Sequence, residues 1–136
     1  MLIEMELNKI IIDEKRHDQI IVLKEKKGSR LLPIVIGLLE ASSIKMKVSG
    51  IQPPRPLTHD LLKSIIENLG AKIEKVVVDK LEHNTFYAKL YLKNETKDSI
   101  VIDARPSDSI ALAVRVKAPI FVEDTVIRQS EILKTK

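Results

Sequence analysis

The densest polar cluster of the sequence lies in the stretch IDARPSDSIALAVR, residues 102–115. Asp103, Arg105 and Asp108 interrupt an otherwise apolar segment there, where a predicted strand meets a predicted helix. A carboxylate can bind a divalent cation or take up a proton, and a guanidinium can bind a phosphate through two parallel hydrogen bonds. These residue types are therefore candidates for the chemistry of a site.

The start of the helix explains part of this cluster without any chemistry. Pro106 suits the first position of a helix, and Ser107 or Asp108 suits its cap or first turn. Asp103 and Arg105 are not needed for capping, and the alternation of side chains along a strand places both on one face. A structural ion pair between Arg105 and either carboxylate is the alternative to a catalytic role.

A second polar cluster lies in PPRPLTHD, residues 53–60. Its three prolines make it a stiff loop, and Arg55 projects just ahead of a predicted helix with His59 and Asp60 in its first turn. An arginine beside a helix N-terminus can bind phosphate, although Asp60 opposes an anion unless a cation bridges them. The cluster also fits an ordinary helix start with a surface arginine.

Other kinds of site have little support. The absence of cysteine excludes disulfides, thiolate nucleophiles and thiolate metal sites, so oxygen or imidazole must hold any metal. Nucleotide-binding glycine motifs, serine-hydrolase elbows and HExxH motifs are absent from the sequence. A Ser-His-Asp arrangement could combine Ser107 or Ser109 with His59 and Asp60, but their spacing does not indicate one.

Length, composition and charge predict a globular protein with a single domain, residues 1–136. Of its 136 residues, 44% are hydrophobic and 31% are charged. We found no membrane-spanning run and no secretory signal, so we expect a cytoplasmic protein. The net charge of +4 favours anionic partners such as nucleic acid. With two Phe, two Tyr and no Trp to stack on bases, contacts to phosphate are the expected binding mode.

Hydropathy patterns predict three antiparallel strands, a later β-meander and one further short strand. The predicted strands cover residues 2–13, 19–24, 31–37, 72–82, 85–93, 99–104 and 119–123. His17 and His83 fall in predicted turns between strands.

Helices are predicted at residues 38–48, 58–69 and about 107–116, with a partly helical C-terminus. In the second helix Thr58 is the expected cap, Leu57 and Leu62 the expected hydrophobic staple, and Gly70 the terminator. That helix carries one apolar stripe, formed by Leu61, Leu62, Ile65, Ile66 and Leu69.

These elements predict an α+β fold, with three or four helices packed on a mixed, largely antiparallel sheet of many strands. An internal duplication of one strand–helix unit is a further interpretation, because IVIGLLEASSIKMKV and IVIDARPSDSIALAV share one order of strand, polar junction and helix. Both junctions carry carboxylates, with Glu40 at the first and Asp103 and Asp108 at the second.

The stretches LPIVIGLLEASSI, PPRPLTHDLL, FYAKLYL and IDARPSDSIALAVRVKAPIFV resemble the bifunctional nuclease family, a domain of bacterial proteins with plant relatives. The resemblance covers about residues 20–127 and leaves residues 128–136 peripheral. It implies a compact α+β domain, degradation of RNA and DNA, and a homo-oligomer, for which a dimer is expected. The polar motif positions of the family fall on Glu40, Arg55, Thr58, His59, Asp60, Asp103, Arg105, Ser107 and Asp108. At Ser43 and Ser109, relatives often have alanine.

If the activity implied by the resemblance applies, phosphodiester hydrolysis needs an activated water and a group that neutralises the phosphate. Our hypothesis assigns a divalent metal, Mg²⁺ or Mn²⁺, to Glu40, Asp103 and Asp108. Arg55 and Arg105 would then bind the phosphate. His59 with Asp60 would orient or deprotonate the water, and a metal-free mechanism based on histidine and arginine remains open.

A second hypothesis is a non-catalytic module. The same surface could bind an anion, a nucleotide or a protein, while the carboxylates and arginines form a structural network. The nuclease hypothesis requires Glu40, His59, Asp60, Asp103 and Asp108 to converge in one exposed cleft.

Overall fold

The fold was analysed in a computed structural model that describes residues 1–13, 15, 18–96 and 98–134. His17, for which we predicted a turn, lies outside the described residues. The strands are β1 Leu2–Ile11, β2 Asp18–Glu25, β3 Leu31–Gly37, β4 Lys72–Glu82, β5 Thr85–Lys93, β6 Ser99–Ala104 and β7 Ile120–Glu123. The helices are α1 Leu38–Val48, α2 Thr58–Asn68, α3 Pro106–Val116 and α4 Asp124–Lys134.

The strands form one mixed sheet in the order β3-β2-β1-β7-β4-β5-β6. Neighbouring strands are antiparallel, except that β4 and β7 pair in parallel. The architecture confirms the predicted α+β class, the antiparallel start and the β4–β5–β6 meander. The turn between β4 and β5 holds His83 and Asn84 at positive φ, which Asn tolerates well.

The core lies between the sheet and its helices, and α3 is its centre. Helix α3 packs against α1, α2, β4 and β5. Its residues Ile110 and Ala111 have no exposed surface. The run from Ile110 to Val114 contains only apolar residues, as expected of a helix that is covered on all sides. Among the described residues, no helix is long and apolar enough to cross a membrane.

Two details of α2 differ from the prediction. Leu57, not Thr58, is the N-cap, because the Asp60 carboxylate accepts a hydrogen bond from the Leu57 amide at 2.9 Å and fixes the start one residue earlier. The predicted hydrophobic staple between Leu57 and Leu62 required Thr58 as the cap, so it does not apply once Leu57 is the cap. Gly70 follows the helix at φ 81°, as expected of a terminator.

The apolar stripe of α2 lies largely in the open. Leu61 is 52% exposed, Ile65 46% and Leu69 79%, whereas Ile66 packs against the core. The helix therefore presents an apolar face to its surroundings on the side of α3 and β6.

Candidate functional site

Three helices begin at one place on the molecule. Helix α1 follows β3 directly, α3 follows β6 after Arg105 alone, and the proline-rich loop leads into α2. The third residue of each helix is acidic, namely Glu40, Asp60 and Asp108, where the N-terminal dipole stabilises a carboxylate. Side-chain contacts between these first turns make the convergence direct.

His59 lies at the centre of this convergence and is almost fully buried. Its Nε2 lies 2.9 Å from Oδ1 of Asp108, and its Nδ1 lies 2.8 Å from Oγ of Ser43. Because a carboxylate can only accept, we assign the ring hydrogen to Nε2, so that Nδ1 accepts from the Ser43 hydroxyl. Both ring nitrogens are thus engaged within the protein.

Arg105 joins the first turns of α1 and α3. Its Nε donates to Oδ2 of Asp108 at 2.8 Å, and its Nη2 lies 3.5 Å from Oε2 of Glu40. The side chain is 66% exposed, and Nη1 has no hydrogen bond to any described residue. The Glu40 carboxylate folds back over Gly37, where a Cβ would overlap its Oε1. A glycine at this position therefore lets Glu40 lie against the helix start.

Arg115 and Asp60 form the buried end of the same network. Nε of Arg115 donates to Oδ1 of Asp60 at 2.7 Å, and its Nη2 donates to Oγ of Ser43 at 2.9 Å. Nη1 donates to the Ala111 carbonyl at 2.8 Å, while the side chain of Arg115 is only 3% exposed. One chain of hydrogen-bonded side chains thus runs from the buried Arg115 through Ser43, His59 and Asp108 to the exposed Arg105.

The two aspartates of this chain remain ionised in the fold. Burial raises the pKa of Asp108, but hydrogen bonds from Arg105 and His59 outweigh it, so the pKa lies below its usual value. Burial likewise raises the pKa of Asp60, and hydrogen bonds from Arg115 and the Leu57 amide lower it further than burial raises it. Both carboxylates therefore act as acceptors at neutral pH.

We expect acid to weaken the fold through these carboxylates. A group with a depressed folded pKa stabilises fully above its unfolded pKa, about 3.9 for Asp, and this contribution is lost as the pH falls through the folded pKa. Substitution Asp60→Asn removes one such group, so its unfolding free energy should change less between about pH 5 and pH 2 than that of the wild type. Urea unfolding across this range measures it, and equal pH slopes would contradict the assignment.

Two predicted site residues lie apart from this network. Asp103 is 79% exposed at the side chain, and its carboxylate lies 3.5 Å from the ammonium of Lys89 on β5. Arg55 is exposed in its loop. Strand β6 ends at Ala104, and Arg105, the N-cap of α3, contacts Asp108, although Asp103 and Arg105 line the same cleft on the α2 side.

The three predicted metal ligands, Glu40, Asp103 and Asp108, do not converge on one point in the structure. Glu40 and Asp108 contact the same guanidinium, and Asp103 pairs with Lys89 instead. Among the described residues, no three His, Asp or Glu side chains are arranged to hold a metal ion. Both oxygens of Asp108 already accept hydrogen bonds, so these donors do not fit a metal in this arrangement. A divalent-metal requirement stays a prediction.

The predicted site residues omitted Ser43 and Arg115 as members of the network. Arg115 follows Asp108 by seven residues and so lies on the same helix face, the only sequence signal for its burial. Such an arginine also fits a last helical turn, where it complements the dipole. Ser43 was noted only because relatives often have alanine there.

Two clefts adjoin Arg105. The first cleft, of about 440 Å³, is lined by the start of α3. Its lining includes Gly37, Arg105, Pro106 and Ser107. The other, of about 590 Å³, lies on the α2 side and includes Arg105 and Asp108. No side chain of the described residues caps the N-terminus of α3. Its first N–H groups belong to Ser107 and Asp108, because Pro106 has none, and they lack a side-chain acceptor.

The fold and the site define a class of α+β protein in which helix starts bring carboxylates and an exposed guanidinium together. The chain belongs to the bifunctional nuclease domain family, whose family model matches residues 21–135. The resemblance seen in the sequence stopped near residue 127, within α4, and the family model extends it through the rest of that helix.

Similar proteins come from bacteria and plants. An uncharacterized protein of Mycobacterium tuberculosis is 41% identical over 124 residues, which cover 91% of this chain and 73% of that protein. Bifunctional nuclease 1 of Oryza sativa subsp. indica is 32% identical over 114 residues, covering 81% of this chain and 34% of the plant protein. Bifunctional nuclease 2 of Arabidopsis thaliana is 31% identical over 108 residues, covering 78% and 33%. The chain thus matches about a third of each plant protein.

Proposed function

We propose that the protein is a nuclease that hydrolyses phosphodiester bonds of RNA, DNA or both. Membership of the family and the names of its plant relatives support the class of reaction. The observation that carries the proposal is Arg105, a guanidinium that Asp108 orients while Nη1 remains available to a ligand.

The roles of the residues follow from their contacts. Arg105 binds the scissile phosphate, and the first amides of α3 add directed donors. Glu40, whose contact to Arg105 is long at 3.5 Å, is the freer carboxylate and serves as the general base for the attacking water. Asp108 orients Arg105, and His59 holds Asp108 in place.

His59 and Asp60 have positioning roles in this proposal. Both ring nitrogens of His59 and both oxygens of Asp60 have partners within the protein, so neither side chain offers a free atom to water. This differs from the role in water activation that we predicted for them, which stays a prediction. Arg55, exposed in its loop, remains a candidate for contacts to more distant phosphates.

The cytoplasmic location and the homo-oligomer stay predictions as well. The open edge of the sheet at β6 supports self-association, because Ile100, Val101 and Ile102 are each at least 40% exposed along it. The alternative of a non-catalytic anion-binding module uses the same Arg105, and only an assay of cleavage separates the two.

Cleavage of labelled RNA, single-stranded DNA and duplex DNA by Arg105→Ala tests the proposal. We expect a loss of about 100-fold or more relative to the wild type, because one preorganised donor to the phosphate is removed. Arg128→Ala is the matched control, since Arg128 is similarly exposed at 71% and its Nε pairs with Asp124 at 2.7 Å. Equal rates for the two variants and the wild type would indicate a contaminating enzyme.

A chelator decides the role of a metal in the same assay. Undiminished cleavage by metal-stripped protein in chelator would eliminate the divalent-metal hypothesis for Glu40, Asp103 and Asp108. Activity that returns only with Mg²⁺ or Mn²⁺ would require Arg105 to give way between Glu40 and Asp108 when substrate binds.

A further inference from the structure

An apolar cleft opens beside Arg105, between α2 and the β5–β6 side of the sheet. Its volume of about 590 Å³ lies within the range of about 300–1,000 Å³ that small-ligand sites occupy. The apolar part of its lining comes from two helices and two strands, through Leu62, Ile66, Leu90, Ile102 and Leu112. From α2, Leu62 and Ile66 therefore form one wall of a cleft at the candidate site, whereas the exposed Leu61, Ile65 and Leu69 lie outside its lining.

One aromatic side chain lines this cleft on the core side of the sheet. Phe86 belongs to the lining and packs against the core, whereas Tyr87, the next residue of β5, points to the other face of the strand, where the ammonium of Lys80 lies 4.7 Å from the centre of its ring. An aromatic face lets a planar base stack with little dependence on its identity. Phe86 is therefore the side chain that can stack on a base in the cleft.

The rim of the cleft offers a cation to an anionic group. Arg105 is the one cationic residue of the lining, and its Nη1 has no partner among the described residues. The rim carboxylates are paired, Asp108 with Arg105 and Asp103 with Lys89, so what Arg105 offers to a ligand is the donor Nη1 and not an uncompensated charge. The cleft thus combines an apolar, partly aromatic interior with an available guanidinium at its mouth.

A buried hydroxyl in the wall lacks a partner. Ser109 has no exposed surface and belongs to the lining, yet its Oγ has no hydrogen bond within the described part of the chain. Leaving such a group unsatisfied is unfavourable, and buried hydroxyls are normally paired. Because this hydroxyl has no exposed surface, a ligand in the cleft can reach it only if the wall of the cleft shifts.

We propose that this cleft receives one nucleobase of a single strand while Arg105 binds the adjoining phosphate. The proposal rests on the proposed nuclease function and adds the form of its substrate. A base can enter only when it is unpaired and unstacked, and this costs least in a single strand. Single-stranded RNA or DNA is therefore the preferred substrate, and paired strands are cleaved more slowly.

Binding of adenosine 5′-monophosphate, measured by calorimetry, tests the cleft independently of cleavage. Substitution Ile102→Ser should weaken binding about tenfold, because apolar contact with the base is lost. The matched control is Ile100→Ser, since Ile100 lies on the same strand and face and is equally exposed, at 40% against 41%, but does not line the cleft. Inorganic phosphate should bind the wild type and both variants alike.

Three results would overturn the assignment. These are equal weakening by Ile100→Ser and Ile102→Ser, adenosine 5′-monophosphate binding no tighter than phosphate, and a wild-type dimer that Ile102→Ser dissociates. The last would show that a second copy of the chain covers the cleft.

Cleavage assays then separate this proposal from the proposed function. We expect the wild type to cleave an unstructured oligonucleotide at least about tenfold faster than the same sequence in a duplex, and Ile102→Ser to lose this preference. Cleavage without any preference for single strands contradicts the base-binding cleft but not the proposed nuclease function. Tight nucleotide binding through Ile102 with no cleavage of any substrate contradicts the nuclease and supports the cleft.

Discussion

Substitution Asp108→Asn is expected to lower the rate of phosphodiester cleavage by about 100-fold while the protein stays folded. The amide keeps the size of the side chain, but its NH₂ group cannot accept a hydrogen bond, so its one oxygen can replace only one of the two carboxylate oxygens that face Arg105 and His59. Arg105 then loses the carboxylate that orients it at 2.8 Å. Initial rates over a range of RNA concentrations measure the effect, and we expect it in kcat more than in KM.

Asp124→Asn provides the control for this substitution. Asp124 also lies in the first turn of a helix and holds arginines, Arg30 at 2.9 Å and Arg128 at 2.7 Å. Its substitution likewise removes one negative charge from the first turn of a helix, but this helix is α4, outside the polar network of the site. Similar losses of activity in the two variants would mean that Asp108 acts only through stability.

Substitution Arg115→Leu is expected to lower the free energy of unfolding by about 3–5 kcal/mol. The guanidinium is 3% exposed and satisfies Asp60, Ser43 and the Ala111 carbonyl at once. Without it, the Asp60 carboxylate and the Ser43 hydroxyl lose their charged partner inside the protein. Equilibrium unfolding in guanidinium chloride, monitored by circular dichroism, measures the loss.

The control Arg128→Leu removes an arginine–aspartate pair of the same 2.7 Å length from the surface. Exposed pairs contribute about 0–1 kcal/mol, so its unfolding free energy should stay within about 1 kcal/mol of the wild type. If both leucine variants cost the same, the buried network does not stabilise the fold in the way we describe.

The sheet and its helices were predictable because their signals are local. The bounds predicted for β4, β5 and β6 agree with the structure, since each strand is bracketed by turn residues. Helix α1 also has the predicted bounds, although its serine pair weakens the helical pattern. Pro106 at the first position of α3 illustrates why helix starts can be recognised in a sequence.

The orientation of α2 was not predictable in the same way. An apolar stripe shows that a helix is amphipathic, but it does not show whether that face meets the core or lies beside an open cleft. The one-residue shift of its start depends on a single hydrogen bond from the Leu57 amide to Asp60. The sequence predicted Thr58 as the cap, because leucine has no side-chain acceptor, and only the geometry identifies Leu57.

The candidate site required contacts that no local pattern encodes. The structure brings together Glu40, His59, Arg105 and Asp108, whereas Asp103 lies apart with Lys89. Arg105, in extended conformation at the N-cap of α3, pairs with Asp108, whereas Asp103 pairs with Lys89, and alternation along a strand does not show which partner each side chain takes. The burial of Arg115 could not be predicted, because a charged side chain is buried only where partners satisfy it, and these partners lie far away in the sequence.

The strands that lead into α1 and α3, β3 and β6, are the two opposite edges of the sheet. The contact of Glu40 with Arg105 joins residues 65 positions apart, and that of Ser43 with Arg115 joins residues 72 apart. Contacts of such long range form late, after loop closure has been completed. A chain emerging from the ribosome therefore has no assembled site until both edges have been synthesised. In a refolding experiment, recovery of cleavage would mark the last step of folding.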